Sequence, residues 1–338
     1  MHISILICTR NRAASLRETL RSLSTLRIPE GETVELIVVD NGSTDDTATV
    51  VETEAPDVLA PRRVYAETPG LSNARNAGVA AAKGEILLFT DDDVRVPPDW
   101  IERMCAPFRR EAVDAVAGGV RLALTLRRPW MAPVHMGALA DTSPLRGTSQ
   151  PRLVGANMAL RRSVFERIPM FDPDLGAGPG PYGFHEETLF SLQVVEAGGQ
   201  IADAYDTLVE HHPDPSRITP AAFVEWADRL GRSDAYVEYH WRHAPVSRLR
   251  SAGAYAFWSA RLLRRSVRSG TFGRRGDGIA PERLAEVRFR AYHRQMFSLV
   301  GRPRLYSRFG LKKRSARPGL AAGSSIGKGK QLAGAPAK

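Results

Sequence analysis

The chain has 338 residues, 43% hydrophobic and 25% charged, with 47 Lys+Arg against 37 Asp+Glu for a formal net charge of +10. This is the balance of a soluble globular protein with room for a large core; it excludes a disordered chain, a fibre and a polytopic membrane protein. Two cysteines, Cys8 and Cys105, cannot build a disulfide framework, and both sit in apolar runs as reduced core residues.

Residues 3–7 read as a strand, followed by a helix over 15–26. Residues 34–39 form a second buried strand, and 44–54 a second helix. A short strand over 63–65 precedes a helix over 71–82, with Gly84 as its C-cap, and 85–89 is a further strand. Alternating helices and continuous apolar strands give an α/β fold with a mostly parallel sheet sandwiched by helices. In such sheets the residues just beyond the strand C-termini line the ligand crevice. Those residues here are Cys8-Thr9-Arg10, Asp40-Asn41-Gly42 and Asp91-Asp92-Asp93. Residues 123–151 lose the alternation and read as a long loop. Order resumes at Leu153; a Gly/Pro-rich stretch over 176–183 precedes a helix over 186–197, and 200–209 holds one or two short strands. From Thr219 the pattern is helical. Residues 311–338 carry seven basic and no acidic residues in low-complexity sequence and are expected to be disordered.

Three adjacent carboxylates after a buried strand repel one another, and a hard divalent cation offsets that repulsion through oxygen ligands. Asp91 and Asp93, at i and i+2 of extended chain, would point the same way and Asp92 elsewhere. The alternative is a solvated turn, or an N-cap for the segment starting at Pro97. Asp40 at its strand end can accept hydrogen bonds from a nucleoside, although Asn41-Gly42 also reads as a plain turn. No GxGxxG or P-loop sequence occurs, so an ordinary dinucleotide site is not indicated.

Taken together, Cys8-Thr9-Arg10-Asn11-Arg12, Val39-Asp40-Asn41-Gly42-Ser43-Thr44-Asp45, Asn73-Ala74-Arg75-Asn76-Ala77-Gly78 and Asp91-Asp92-Asp93 resemble family 2 glycosyltransferases of the GT-A fold, over residues 1 to about 235. The resemblance implies a nucleotide-sugar donor contacted by Thr9, Arg12, Asp40, Arg75, Asn76, Asp91 and Asp92. It implies Mg²⁺ or Mn²⁺ held by Asp91 and Asp93, with His211 completing the shell from Val209-Glu210-His211. It places the catalytic base in a carboxylate pair at a helix start, here Glu186-Glu187, with Glu187 on the position usually held by Asp. Gly155 and Asn157 fall on the acceptor-side segment. The implied reaction is an inverting, metal-dependent transfer to a hydroxyl acceptor, a polysaccharide or lipid-linked saccharide.

Charge is split along the chain. Residues 1–241 hold 24 Lys+Arg and 34 Asp+Glu, net −10; residues 242–338 hold 23 and 3, net +20. Three segments are therefore expected: a catalytic domain over 1–235, a helical Arg-rich region over 236–310 and the basic tail. Arg261, Arg264, Arg265 and Arg268 share one helix face. Together with Arg302, Arg304, Arg308, Lys312, Lys313 and Arg314 they make residues 249–314 either an attachment to an anionic membrane surface or a solvated face whose apolar side packs on the catalytic domain. No stretch reaches the roughly 18 apolar residues of a spanning helix, and the N-terminus lacks the basic segment of a signal peptide. The expected location is the cytoplasm, peripheral at the inner face of the cell membrane. Two rival classes remain at this level. A nucleotidyltransferase would want a Gly-rich phosphate loop, which residues 7–11 lack; nucleic-acid binding is not expected from an acidic body.

Overall fold

The computed structural model describes residues 1–110, 112–145, 151–268 and 278–311. The first half alternates β1 (His2–Thr9), α1 (Ala13–Leu23), β2 (Thr33–Asp40), α2 (Thr47–Glu54), β3 (Arg62–Tyr65), α3 (Leu71–Ala81) and β4 (Ile86–Asp91). Then come β5 (Val94–Arg95), α4 (Trp100–Arg110), β6 (Ala115–Leu122), α5 (Pro133–Ala138), β7 (Asn157–Arg161), α6 (Val164–Arg167), α7 (Glu186–Glu196) and β8 (Ile201–His211). Three helices close the described chain: α8 (Pro220–His240), α9 (Arg248–Arg268) and α10 (Pro281–Leu299).

The strands form one eight-stranded sheet in the order β3-β2-β1-β4-β7-β6-β8-β5. The β3-β2-β1-β4 half is parallel, as the strand–helix alternation predicts. β7 enters antiparallel between β4 and β6, while β6 pairs parallel with β8. Side chains alternate across the sheet. Ile3, Ile5 and Ile7 face one apolar cluster with α1, α2 and α4, while Leu6, Ile37, Val39, Leu87 and Phe89 face a second with α3 and α7. Both faces are covered, so the strands are mostly apolar on both sides rather than alternating, and two buried exceptions, Ser4 and Glu35, share a hydrogen bond of 2.6 Å that Ser4 donates.

Several expectations change in detail. Gly84 does not cap α3, whose C-cap is Ala82 in extended conformation. A Cβ on Gly84 would stand 2.5 Å from the Ser4 backbone nitrogen, so it is close packing that calls for glycine there. Residues 201–209 belong to a single strand, β8, which runs on to His211. The stretch read as a loop over 123–151 carries α5 and two short 3₁₀ turns, while residues 146–150 lie outside the described residues. The boundary at residue 235 falls inside α8. Leu262, Ile279, Leu284 and Val287 share one apolar cluster with Ala138 and Leu139, so the Arg-rich region packs on the α5 excursion. Of the arginine face, Arg261 pairs with Glu286 at 2.7 Å and Arg264 is exposed. The expected disordered tail over 311–338 lies outside the described residues apart from Leu311. No helix among the described residues is long and apolar enough to cross a membrane.

Candidate active site

A cleft of about 600 Å³ opens at the C-terminal ends of β1 and β4, walled on the far side by the α5 excursion and the start of α7. This is the crevice position that a parallel sheet creates. Thr9, Arg12, Arg75, Asp91, Asp92, Asp93, Glu186 and Glu187 all line it.

The three aspartates do not splay as extended chain would. β4 ends at Asp91 and a turn over Asp92 and Asp93 leads into β5, so Asp92 and Asp93 share a partner. Arg12 donates to Asp92 Oδ1 at 2.7 Å and to Asp93 Oδ2 at 2.7 Å. Thr9 Oγ1 donates to Asp92 Oδ2 at 2.7 Å. Asp91 stands apart, 3.9 Å from Arg75 Nη2. Arginines thus answer much of the mutual repulsion. Burial pushes the Asp92 carboxyl up to about 7, with Asp93 adding to the push and Arg12 opposing it. Burial works to raise Asp93 too, but His211 and Arg12 outweigh it and hold that carboxyl well below the usual range.

Among the described residues, no group of three or more His, Cys, Asp and Glu side chains has the arrangement of a complete metal cage. Two side chains nevertheless fit part of one. His211 ends β8 buried, and its Nδ1–H donates to the Leu139 carbonyl at 2.7 Å. In the neutral ring that leaves a lone pair on Nε2. Nε2 lies 3.2 Å from Asp93 Oδ1, a buried oxygen with no hydrogen bond of its own. With the ring neutral, two acceptors face each other in a dry site, and they are held either by a proton on Nε2, which makes an ion pair of His211 and Asp93, or by a cation between them. Neighbouring ligands of an octahedral ion bound at ~2.1 Å stand ~3 Å apart, which this pair matches. The remaining positions of a Mg²⁺ shell commonly fall to substrate phosphates and water. The adjacent His212 pairs instead with Glu210 at 2.7 Å.

The carboxylate pair sits at the first turn of α7, where the helix dipole favours negative charge. Glu186 is buried and accepts from Arg75 Nη1 at 3.0 Å. Glu187 keeps 20% of its side chain exposed in the cleft and lies 3.7 Å from Arg75 Nη2. Its Oε1 accepts the Gly155 N–H at 3.1 Å. A Cβ on Gly155 would come within 1.8 Å of Arg75 Nη2 and 2.9 Å of Glu187 Oε1, so only glycine lets these three groups meet. Burial acts to lower Arg75, but Glu187, Glu186 and Asp91 together hold it above its ordinary value. Arg75 is therefore a permanent cation under the carboxylate pair, rather than a free arm reaching for phosphates.

Five expected site residues lie outside the lining of the cleft; of these, His211 and Gly155 stand directly behind it, against Asp93 and Glu187. Asp40 is buried, ion-paired with Arg63 at 2.9 Å, and accepts the Ser43 N–H at 2.8 Å; its neighbour Asn41 is the one that faces the cleft. Asn76 bonds both the N–H and the carbonyl of Phe171, so it pins the 171 loop instead of meeting the donor. Asn157 points into the core, where its amide donates to Gly119 O and Thr207 O and its oxygen accepts from Trp100 Nε1. It ties β7 to the irregular register of β6 and β8 and is not an acceptor-side contact. Cys8, read as a core residue, borders the cleft; burial pushes its thiol up to about 12, so it is not a nucleophile at neutral pH.

The comparisons fit this geometry. The family description "Glycosyl transferase family 2" matches residues 4–169. The succinoglycan biosynthesis protein ExoM of Rhizobium meliloti is 32% identical over 231 residues, covering 66% of this chain and 71% of ExoM. The chain belongs to glycosyltransferase family 2. The glycosyltransferase AglE of Haloferax volcanii is 26% identical across 76% of the chain and 79% of its own length. Among solved structures, the mannosyltransferase PcManGT of Pyrobaculum calidifontis, determined with GDP-Man and Mn²⁺, aligns with a TM-score of 0.52. It shares 19% identity over 88% of this chain and 70% of that one, which establishes a common GT-A fold. The activity of this transferase is accordingly the transfer of a sugar from a nucleotide-sugar donor, and the nucleotidyltransferase alternative gives way.

In this glycosyltransferase other residues also shape the cleft without having stood out in the sequence. Arg217 and Trp226 line it from the β8–α8 connection and from α8, as do Asp141 and Thr142 of the excursion. His185, the α7 N-cap with a left-handed φ of 78°, donates through Nε2–H to Asp234 Oδ1 at 2.8 Å. Arg288 of α10 holds the same carboxylate through two bonds of 2.6 and 2.9 Å. The last described helix is thereby braced against the turn that carries Glu186 and Glu187. Nothing in linear spacing marks contacts 49 and 54 positions apart.

Glu186 gives the transferase a pH signature. Burial, with Glu187 adding to it and Arg75 opposing it, pushes its carboxyl up from 4.5 to about 8. The folded chain then holds a proton that the unfolded chain releases. The stability this contributes is fully present below about pH 4.5 and is lost as pH rises through about 8. Thermal melts from about pH 5 to about pH 9 should show Glu186→Gln with a flatter alkaline decline than wild type. Parallel declines would place the titration elsewhere.

Proposed function

We propose that this family 2 enzyme is metal-dependent and inverting, and that it glycosylates a hydroxyl of a saccharide or a lipid-linked saccharide. The observation that carries this reading is Glu187, the more exposed carboxylate of the α7 pair in the cleft, held in place by the Gly155 N–H and Arg75. A base must be ionised at working pH and within reach of the proton it takes. Glu186, pushed up to about 8, is mostly protonated at neutral pH and serves instead to anchor Arg75.

The roles follow from position. Thr9 and Asn41 border the end where the nucleoside would lie, at the β1 and β2 tips. Arg12 ties the Asp92-Asp93 turn to the start of α1 and keeps the aspartates facing the cleft. Asp93 and His211 would hold the cation, with Asp91 nearby. Bound there, Mg²⁺ or Mn²⁺ would neutralise charge building on the departing diphosphate. On the opposite wall Glu187 takes the acceptor proton as the hydroxyl attacks the anomeric carbon, and Arg75 steadies the carboxylate before that transfer. A single base on the wall opposite the aspartates is what a one-step displacement with inversion requires. The name of ExoM, a succinoglycan biosynthesis protein, supports a saccharide acceptor, and Mn²⁺ in the archaeal mannosyltransferase of the same fold supports the metal.

Proton NMR of the product tests the stereochemistry. The anomeric coupling of the new linkage should report the configuration opposite to that of the donor. A product of unchanged configuration would contradict the single-base mechanism.

A further inference from the structure

Helix α9 has two apolar faces, and packing accounts for one of them. On the inner side Ser251 and Leu262 are buried, and Trp258 stacks on Phe289 of α10 with ring centroids 5.2 Å apart. On the outer side Leu249 is 87%, Phe257 57% and Leu263 67% exposed. Exposed Gly253, Ala256 and Ala260 lie between them, at a spacing that keeps all six on one side of a helix. A helix whose only task was to cover α10 would turn polar side chains outward. The side of the stripe that carries Phe257 is cationic, with Arg250, Arg261 and Arg264 around it, and Arg248 stands at the helix start. α9 contains six arginines and no acidic residue, and Arg248, Arg250, Arg261 and Arg264 are all exposed.

We infer that the outer face of α9 is a docking surface for an anionic phospholipid bilayer, with Leu249, Phe257 and Leu263 entering the interface and the arginines meeting the headgroups. A large apolar stripe with arginines along one side is the pattern of an interfacial helix. The charge argues against a second copy of the chain, because two such faces would meet arginine to arginine with no acid between them. The apolar stripe argues against nucleic acid, which offers it nothing to bury against. Leu262, on the inner side, packs with Ala138 and Leu139, and Ala138 lines the cleft. The surface is thus joined directly to a wall of the active site. For its purpose the inference rests on the lipid-linked acceptor proposed above; the binding itself does not depend on it.

The test is co-sedimentation of the full chain with phosphatidylcholine vesicles, with and without phosphatidylglycerol. Wild type should partition onto the anionic vesicles and stay in solution with the neutral ones. The triple variant Arg248→Gln/Arg250→Gln/Arg264→Gln should weaken that partitioning about 100-fold. Leu249→Ser/Phe257→Ser/Leu263→Ser should weaken it about tenfold or more and make the remaining binding collapse in high salt. Every substituted residue is exposed, so melting temperatures should match wild type, and turnover of a water-soluble acceptor should be unchanged in both variants. Equal partitioning onto neutral and anionic vesicles would overturn the inference. So would an apolar triple variant that binds like wild type, which would reduce the effect to adsorption of arginines.

Discussion

Glu187→Gln is expected to lower kcat by about 10²–10⁴ while leaving the KM for the donor nearly unchanged. The amide has the size of the carboxylate and its oxygen can still accept the Gly155 N–H, so the 3.1 Å contact and the local packing survive. It cannot take a proton from an attacking hydroxyl. Only the charge facing Arg75 is lost besides, and Glu186 remains at 3.0 Å to hold that guanidinium. Steady-state kinetics with saturating donor isolates the effect. The companion Glu186→Gln should lose much less, because a residue already protonated at neutral pH gives up little charge. If Glu187→Gln kept more than about a tenth of the wild-type kcat, or if Glu186→Gln were the more damaged of the two, the base would be misassigned.

Asp93→Asn is expected to lower kcat/KM by about 10²–10³ and to raise the Mg²⁺ or Mn²⁺ concentration needed for half-maximal rate. Asp93 is buried between Arg12 and His211, with Oδ2 on the guanidinium and Oδ1 on the ring nitrogen. Asparagine fills the same space, but its amide either turns an N–H toward Arg12 or presents one to His211 Nε2. Either orientation removes the facing pair of acceptors that fits a cation. A substitution here also leaves part of the Arg12 charge unpaired, which would lower stability, so melts must accompany the kinetics. The diagnostic readout is the metal titration, which a purely structural loss would not shift. Full activity with an unchanged titration would remove Asp93 from the metal site.

The sequence made much of the scaffold legible, and physics explains where it stopped. β1, β2 and β4 announced themselves because a sheet covered on both faces is apolar at most positions, Ser4 and Glu35 apart, and their polar tips then marked the crevice. The carboxylate pair Glu186-Glu187 was legible through a helix start. The orientation of the aspartates was not: an i, i+2 argument assumes extended chain, and the turn at Asp92-Asp93 breaks it. Asp40, Asn76 and Asn157 were placed on the ligand by resemblance, yet the fold uses them on Arg63, on the Phe171 backbone and on the irregular β6–β8 register. A polar residue beside a cleft serves backbone groups and ligands with the same atoms, and spacing cannot tell the two apart. The α5 excursion escaped because a six-residue helix after Pro133 is too short to show a period. The bracing of His185 through Asp234 to Arg288 escaped because only tertiary contact brings those residues together. The basic end was visible as charge, but its outward apolar stripe became distinct only once Leu262 and Trp258 were seen to face inward.

The most direct test of the account is a panel of nucleotide-sugar donors assayed for nucleoside diphosphate release, with a saccharide acceptor present, after exhaustive chelation and after readdition of Mg²⁺ or Mn²⁺. The account predicts acceptor-dependent release from at least one donor, abolished by chelation and restored by the added cation. Release that continues undiminished in the chelated enzyme would contradict the metal site built on Asp93 and His211.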